Sequence, residues 1–300
     1  MRELGIFFSP AKINLFFAVT GMRSDGNHNV FSANIALNFG DEIAISDSSG
    51  GRDEIICAAK YLDKNSNTIT KALDIFRKNS GIGRHFRVAI VKNIPPESGF
   101  GGGSSNGATV LRAVNGICGN VLSKDRLVDL SAKIGADCPF FMGDGPSIAS
   151  GTGNACAPMD ANLYSALGNY ALTIFKPPFG VSTAEAYADL RTKFRHLYVT
   201  ENEAAQRFES LQKCMVSGDI SLPLFNAFSE IFFARHGEMR QLHRDLQMAN
   251  ANAMLTGSGS GCFCLVHKSI GGDSVAGVVR KKLGADVFLK NTTPMEILRE

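Results

Sequence analysis

The chain has no tryptophan among its 300 residues and only five tyrosines, against 21 phenylalanines. Phenylalanine must therefore fill most of the large positions of a core. Seven cysteines are present, an odd number with no CxxC pair. That argues against a zinc site or a disulfide framework and for a reducing compartment. Cys262 and Cys264 alternate on a strand-like segment and read as core packing. The six histidines are scattered, with no HExxH. One-sided charge is missing too: 31 basic residues face 28 acidic ones, for a net charge of +3, with no long block of either sign. So weak a bias excludes nucleic-acid and membrane-surface binding as the expected function, and any phosphate binding must be local. No run approaches the roughly 18 apolar residues of a membrane span. The first apolar stretch, Gly5–Phe17, is broken by Pro10, Lys12 and Asn14 and lacks the continuous core of a secretory signal. A cytoplasmic protein is expected, as a monomer or homodimer.

What is present is an ordinary globular balance, 44% hydrophobic and 20% charged, with enough apolar material for a sizeable core. At roughly 150 residues per domain, two modest domains are expected, 1–160 and 161–300. Residues 4–20 read as β-rich with an interruption at Ser9-Pro10. Strands are expected at 30–38 and 42–46, then a hairpin-like turn at 48–51. Asn67 to Lys78 has helical spacing through Ile69, Ala72, Leu73 and Phe76. His85 to Lys92 alternates as a half-buried strand. Helices are expected just after Ser104-Ser105-Asn106 and over 123–134, with Gly135 as a C-terminal cap. Residues 145–165 read as loop. A strand at 171–175, helices at 183–190, 202–216 and 225–249, a strand at 262–267, a helix at 274–283 and a strand at 285–289 follow.

The segment Gly99-Phe100-Gly101-Gly102-Gly103-Ser104-Ser105 carries the chemistry. Backbone N–H groups converge on a phosphate only where the chain folds tightly, which glycine allows. A helix starting behind the loop adds free N–H groups and its positive dipole end. Ser104 and Ser105 offer hydroxyls to phosphate or Mg²⁺. The absence of GxxxxGK[ST] excludes a Walker loop. The match to GxGxxG is partial, because Ser104 replaces the third glycine and Asp125 follows a helix start rather than a strand. A dinucleotide-binding oxidoreductase is thus the weaker reading.

Three segments together resemble the GHMP kinase superfamily. They are Pro10-Ala11-Lys12-Ile13-Asn14-Leu15, the loop Gly99–Ser105 with Asn106-Gly107-Ala108, and Leu255-Thr256-Gly257-Ser258-Gly259-Ser260-Gly261. Arg23-Ser24-Asp25-Gly26-Asn27-His28, Gly135-Ala136-Asp137-Cys138-Pro139 and Val181–Tyr187 narrow the likeness to the branch acting on diphosphocytidyl methylerythritol in non-mevalonate isoprenoid synthesis. The resemblance implies an α+β, two-domain fold with an N-terminal ATP-binding domain and a C-terminal α+β domain. It implies transfer of the ATP γ-phosphate, with Mg²⁺, to the 2-hydroxyl of that small molecule. It assigns Asp137 as base with Lys12 beside it, and Gly99, Gly101, Gly102, Gly103, Ser104 and Ser105 to ATP. Asn67 is either an adenine contact or a helix cap. Asn14 is implied near the hydroxyl, His28 at the cytosine and Tyr187 as an aromatic lid. Where the family usually has Tyr, this chain has Asn27. Homoserine, sugar and mevalonate kinases of the superfamily are the alternative, and a catalytically silent relative is a further class.

Overall fold

The computed structural model describes residues 2–59, 67–270 and 274–295. Its frame is a pair of long antiparallel strands, β1 (Glu3–Met22) and β2 (His28–Asp47). The interruption expected at Ser9-Pro10 and the gap expected between 38 and 42 do not break either strand. Instead the register shifts between Pro10 and Lys12, and again between Asn14 and Phe16. Irregularities of this kind let proline stay in a strand and re-aim side chains next to sites. Residues 9–16 are buried without alternation, because both faces of the strand pair are covered by separate apolar clusters. A strand buried on both sides reads as a near-continuous apolar run.

The turn at 48–51 does not close a hairpin. It leads to β3 (Glu54–Cys57), which pairs parallel with β4 (Phe86–Val91) after a crossover through α1 (Thr68–Ser80). β4 lies between β3 and β2, so the two strands flanking the turn are not neighbours. Residues 145–165, expected as loop, form the hairpin β5 (Ser147–Ser150) and β6 (Ala155–Pro158), followed by α5 (Ala161–Leu167) capped by Asp160. β5 finds its partner in β2, a tertiary pairing that four residues of sequence do not announce. Among the described residues the first sheet runs β3-β4-β2-β5-β6, with β1 on β2. α1, α2 (Gly102–Ile117), α3 (Lys124–Ser131) and α4 (Cys138–Met142) pack on it. α3 ends at Ala132, short of the Gly135 cap expected.

The second sheet is antiparallel in the order β10-β7-β9-β8. Its strands are β7 (Tyr170–Lys176), β8 (Asn252–Leu255), β9 (Cys262–His267) and β10 (Phe288–Thr292). The helices α6 (Thr183–Thr192), α7 (Glu201–Ser217), α8 (Ser229–Arg235), α9 (Gly237–Met248) and α10 (Ser274–Leu283) surround it. The single helix expected over 225–249 is two. The backbone breaks at His236 (φ −130, ψ 81), whose ring stacks on Phe179 at 4.2 Å. Its first residues are not helical either, because Asn226 bridges to Phe17 and donates to Leu255 O and Gly257 O. β8 was not expected, and β10 begins three residues later than the strand expected at 285. Cys262 and Cys264 are buried core residues. No described helix is long and apolar enough to cross a membrane.

Candidate active site

The glycine-rich loop enters α2 earlier than its serines suggest. Gly101 is the N-cap, in the left-handed region (φ 74, ψ 14), and makes no side-chain capping bond. The expected caps have another task. Ser105 is fully buried and its hydroxyl meets Ser9 Oγ at 2.8 Å. Asn106 donates to Ser9 Oγ at 2.8 Å and to Asp41 Oδ2 at 2.9 Å, and it accepts from Lys92 Nζ at 2.8 Å. Asp41, itself fully buried, pairs with Lys92 and accepts from the Asn93 and Ile94 amides. This buried polar chain braces the underside of the first helical turn. The first intrahelical bond runs from Ser105 N to Gly101 O at 2.9 Å. The amides of Gly102, Gly103 and Ser104 thus belong to the first turn, which has no intrahelical acceptors, at the positive end of the dipole. Gly103 O accepts from Thr68 Oγ1 at 2.6 Å, tying the loop to α1. Asn67 caps that helix: its side-chain oxygen accepts from Ile69 N at 2.8 Å and Thr70 N at 3.1 Å.

The three segments that carry the family resemblance interlock at two glycines. A Cβ on Gly101 would lie 2.8 Å from Lys12 Cγ, and one on Gly99 (φ 72) would lie 2.2 Å from Thr256 O. Only glycine accepts both the positive φ and the approach. Lys12 N donates to Phe100 O at 2.9 Å. Thr256 Oγ1 accepts from Asn14 N at 3.0 Å and donates to Asn14 Oδ1 at 3.1 Å. The loop is therefore seated on the first strand and on the β8–β9 turn together.

Lys12 and Asn14 share a face of β1, since alternate residues of a strand point the same way. Lys12 is 3% exposed, and a buried ammonium needs partners. It has two: Asn14 Oδ1 at 2.7 Å and Asp137 Oδ2 at 3.4 Å. Asp137 occupies the N-cap position of α4 but makes no capping bond there. Its carboxylate, 47% exposed, instead faces Lys12 and a cavity. Asn14 Nδ2 donates to Ser32 Oγ and Asn34 Oδ1, both at 2.8 Å, which fixes Oδ1 toward the lysine. Next to Asp137, burial pushes the Cys138 thiol up to about 12. It stays protonated and donates to Ser104 O at 3.3 Å.

The cavity measures about 380 Å³ and is lined by Asn14, Asn27, His28, Asp137, Tyr187 and Arg191, among others. His28 is 9% exposed, so it is not a solvated turn histidine. Its ring lies 4.5 Å from Tyr187 at an angle of 30°, and its Nε2 meets Tyr198 Oη at 2.9 Å. Burial and the Arg191 charge hold the imidazole below its usual value of 6.5. Burial raises the Tyr187 phenol well above its own. Asn27 sits in the exposed turn 23–27, its amide bonded to Asp25. Sequence reasoning missed Ser32, Asn34, Tyr198 and Arg191. Polar residues at i and i+2 in the apolar segment 30–38 were the available signal for the first two. Tyr198 follows a 3-10 turn at Arg195–Leu197 and carried none. Among the described residues, no group of three or more His, Cys, Asp or Glu side chains could hold a metal ion.

Residues 67–145 match the family model for the GHMP kinases N terminal domain. A 4-diphosphocytidyl-2-C-methyl-D-erythritol kinase from Protochlamydia amoebophila is 34% identical over 261 residues, covering 86% of this chain and 83% of that protein. The fold is similar to a solved 4-(cytidine 5'-diphospho)-2C-methyl-D-erythritol kinase, with TM-score 0.76, 23% identity and coverage of 97% and 99% of the two chains. It is also similar to a homoserine kinase from Cytophaga hutchinsonii, with TM-score 0.72, 17% identity and coverage of 98% and 95%.

Proposed function

The chain belongs to the 4-diphosphocytidyl-2-C-methyl-D-erythritol kinase family, and on that footing we propose that it passes the γ-phosphoryl group of ATP to the 2-hydroxyl of that cytidylyl compound in non-mevalonate isoprenoid synthesis. One observation carries the reading: the Lys12–Asp137 contact of 3.4 Å, with Asp137 lining the same cavity as His28 and Tyr187.

An alcohol is a poor nucleophile at neutral pH, so a carboxylate must take its proton as the new bond forms. Asp137 takes that role. The 2-oxygen forms its bond to the γ-phosphorus, and the bond to the β–γ bridging oxygen breaks, its electron pair leaving with ADP. The proton passes to Asp137 and then to water. Lys12 orients the carboxylate and stabilises charge growing on the alkoxide. Asn14 holds Lys12 in place and stands beside the reacting hydroxyl. The first-turn amides of Gly102, Gly103 and Ser104 receive the phosphates, while Gly99 and Gly101 shape the loop and Ser105 braces it from below. Phosphoryl transfer asks mostly for such positioning and charge neutralisation.

Mg²⁺ usually binds through few protein oxygens and several from phosphate. The donor set here suits that mode: the Ser104 hydroxyl on the first turn would help hold an ion carried mainly by the nucleotide, which when bound neutralises phosphate charge. His28 reads the cytosine edge and Tyr187 covers the ring. Asn67 serves the nucleotide end as the cap that sets α1 against Gly103. We assign residues 1–160 to the ATP-binding domain and 161–300 to the second domain. The protein is taken to act in the cytoplasm as a monomer or homodimer. A coupled assay of ADP release with the cytidylyl compound, homoserine, mevalonate and galactose tests the reading. Turnover is expected with the first. Turnover with another and none with the first would move the chain to a different GHMP kinase activity.

A further inference from the structure

We propose that Tyr198 is a positioning residue for base recognition: its hydroxyl fixes the tautomer of His28 and so decides that His28 presents a donor to the base. The proposal rests on the reading of His28 as the cytosine contact. Three observations lead to it. First, Tyr198 Oη lies 2.9 Å from His28 Nε2, and the two ring planes are within 24° with centroids 5.9 Å apart. The phenol therefore meets the imidazole at its edge. Second, the other ring nitrogen, Nδ1, has no hydrogen-bond partner among the described residues, while His28 lines the cavity. Third, Tyr187 lies against the same imidazole at 4.5 Å, so stacking limits the ring's freedom to turn.

A neutral imidazole has one N–H and one bare nitrogen, and the bond made at one nitrogen sets the state of the other. His28 is held neutral by burial and by Arg191. Burial also raises the Tyr198 phenol, with the nearby Arg191 and Arg195 opposing. The phenol thus keeps its proton, and in the proposed arrangement it donates that proton to Nε2. Nδ1 then carries the imidazole proton. Cytosine offers two acceptors side by side, N3 and O2, where uracil has an N3–H. A fixed Nδ1–H suits cytosine and meets a donor in uracil. Asn27 leaves the facing turn without an aromatic ring, so more of the base selection falls on this hydrogen bond.

Tyr198→Phe keeps the ring and removes the hydroxyl. The expected result is a KM for the cytidylyl substrate raised about 3- to 10-fold, the loss of one neutral hydrogen bond, with kcat and the KM for ATP within twofold. In a His28→Ala background the same change should have no further effect. Nitrogen-15 spectra of the imidazole should show the proton on Nδ1 in the parent and a shift toward Nε2 in Tyr198→Phe. An unchanged tautomer, or an equal effect of Tyr198→Phe in the His28→Ala background, would overturn the proposal. If His28→Ala itself left the substrate KM unaltered, the base-contact reading would fall. The spectra would still decide whether Tyr198 sets the tautomer.

Discussion

Gly101→Ala should disable the site without touching any charged group. The backbone at Gly101 has φ 74, where an L residue costs about 1–2 kcal/mol. The added methyl would sit 2.8 Å from Lys12 Cγ and 3.2 Å from Phe141 Cζ. Neither can yield easily. Lys12 is held by its backbone bond to Phe100 and is 3% exposed, and Cγ is the middle of the side chain rather than its flexible end. Phe141 is 2% exposed. Crowding of this kind adds about 1–3 kcal/mol. At ~2–4 °C per kcal/mol for a chain near this size, Tm should drop by about 4–20 °C. The larger effect is catalytic. Relief of the clash pushes the lysine stem away from the loop and its ammonium away from Asp137, and a displacement of about 1 Å at a reacting group costs roughly 10²-fold in rate. Gly103→Ala is the matched comparison for stability. Its Cβ meets nothing within 4 Å and alanine favours a helix by up to ~1 kcal/mol, so Tm should hold or rise. Differential scanning fluorimetry and steady-state kinetics read both. A Gly101→Ala protein with Tm within 2 °C of the parent and kcat within threefold, thresholds of about the size of one small contact, would refute the packing argument.

Asp137→Asn should lower kcat by about 10²–10⁴ with little change in the KM for ATP, the loss of a general base; a loss under threefold in a coupled assay would move the base elsewhere. Asp41→Ala leaves the buried Lys92 ammonium without its carboxylate partner and opens the chain beneath the loop. Urea denaturation should show a loss of about 3–5 kcal/mol. The pH dependence has a definite sign. Burial lowers both His28 and His243 from 6.5, so near and below that value the unfolded chain binds more protons than the folded one. Their stabilising contribution is complete above 6.5 and is lost as the pH falls through the folded values. Tm measured from pH 8 to 5 should fall, and less steeply in a His28→Asn, His243→Asn double variant.

Much of the fold was legible because local signals and tertiary demands agreed. Ser123, Ser182 and Thr200 cap α3, α6 and α7 close to where apolar spacing begins. Reading failed where distant partners decide. Ser105 and Asn106 look like caps but are drawn into a buried chain reaching Asp41. His236 ends a helix that the spacing would continue, because Phe179 takes its ring. In the site, the loop was readable from glycine chemistry alone. No periodicity connects Lys12 with Asp137, and only the likeness of several segments to one family brought them together. Tyr198 escaped both routes, being one tyrosine after an irregular turn.

The seat of the glycine-rich loop also constrains the protein's birth on the ribosome. Strands β1 to β6 are all synthesised by Pro158, so the first sheet has its strands early. Gly99 rests on Thr256, and Asn14 is bonded to the same residue, 242 positions away. At roughly 5–20 residues per second of elongation, the loop waits about 10–30 s for its support. Throughout that interval the nascent chain carries the glycine-rich segment without the turn that holds it. Nucleotide would therefore reach a finished cradle only late in translation, and a chain stopped before Thr256 would lack one no matter how well its first sheet had formed.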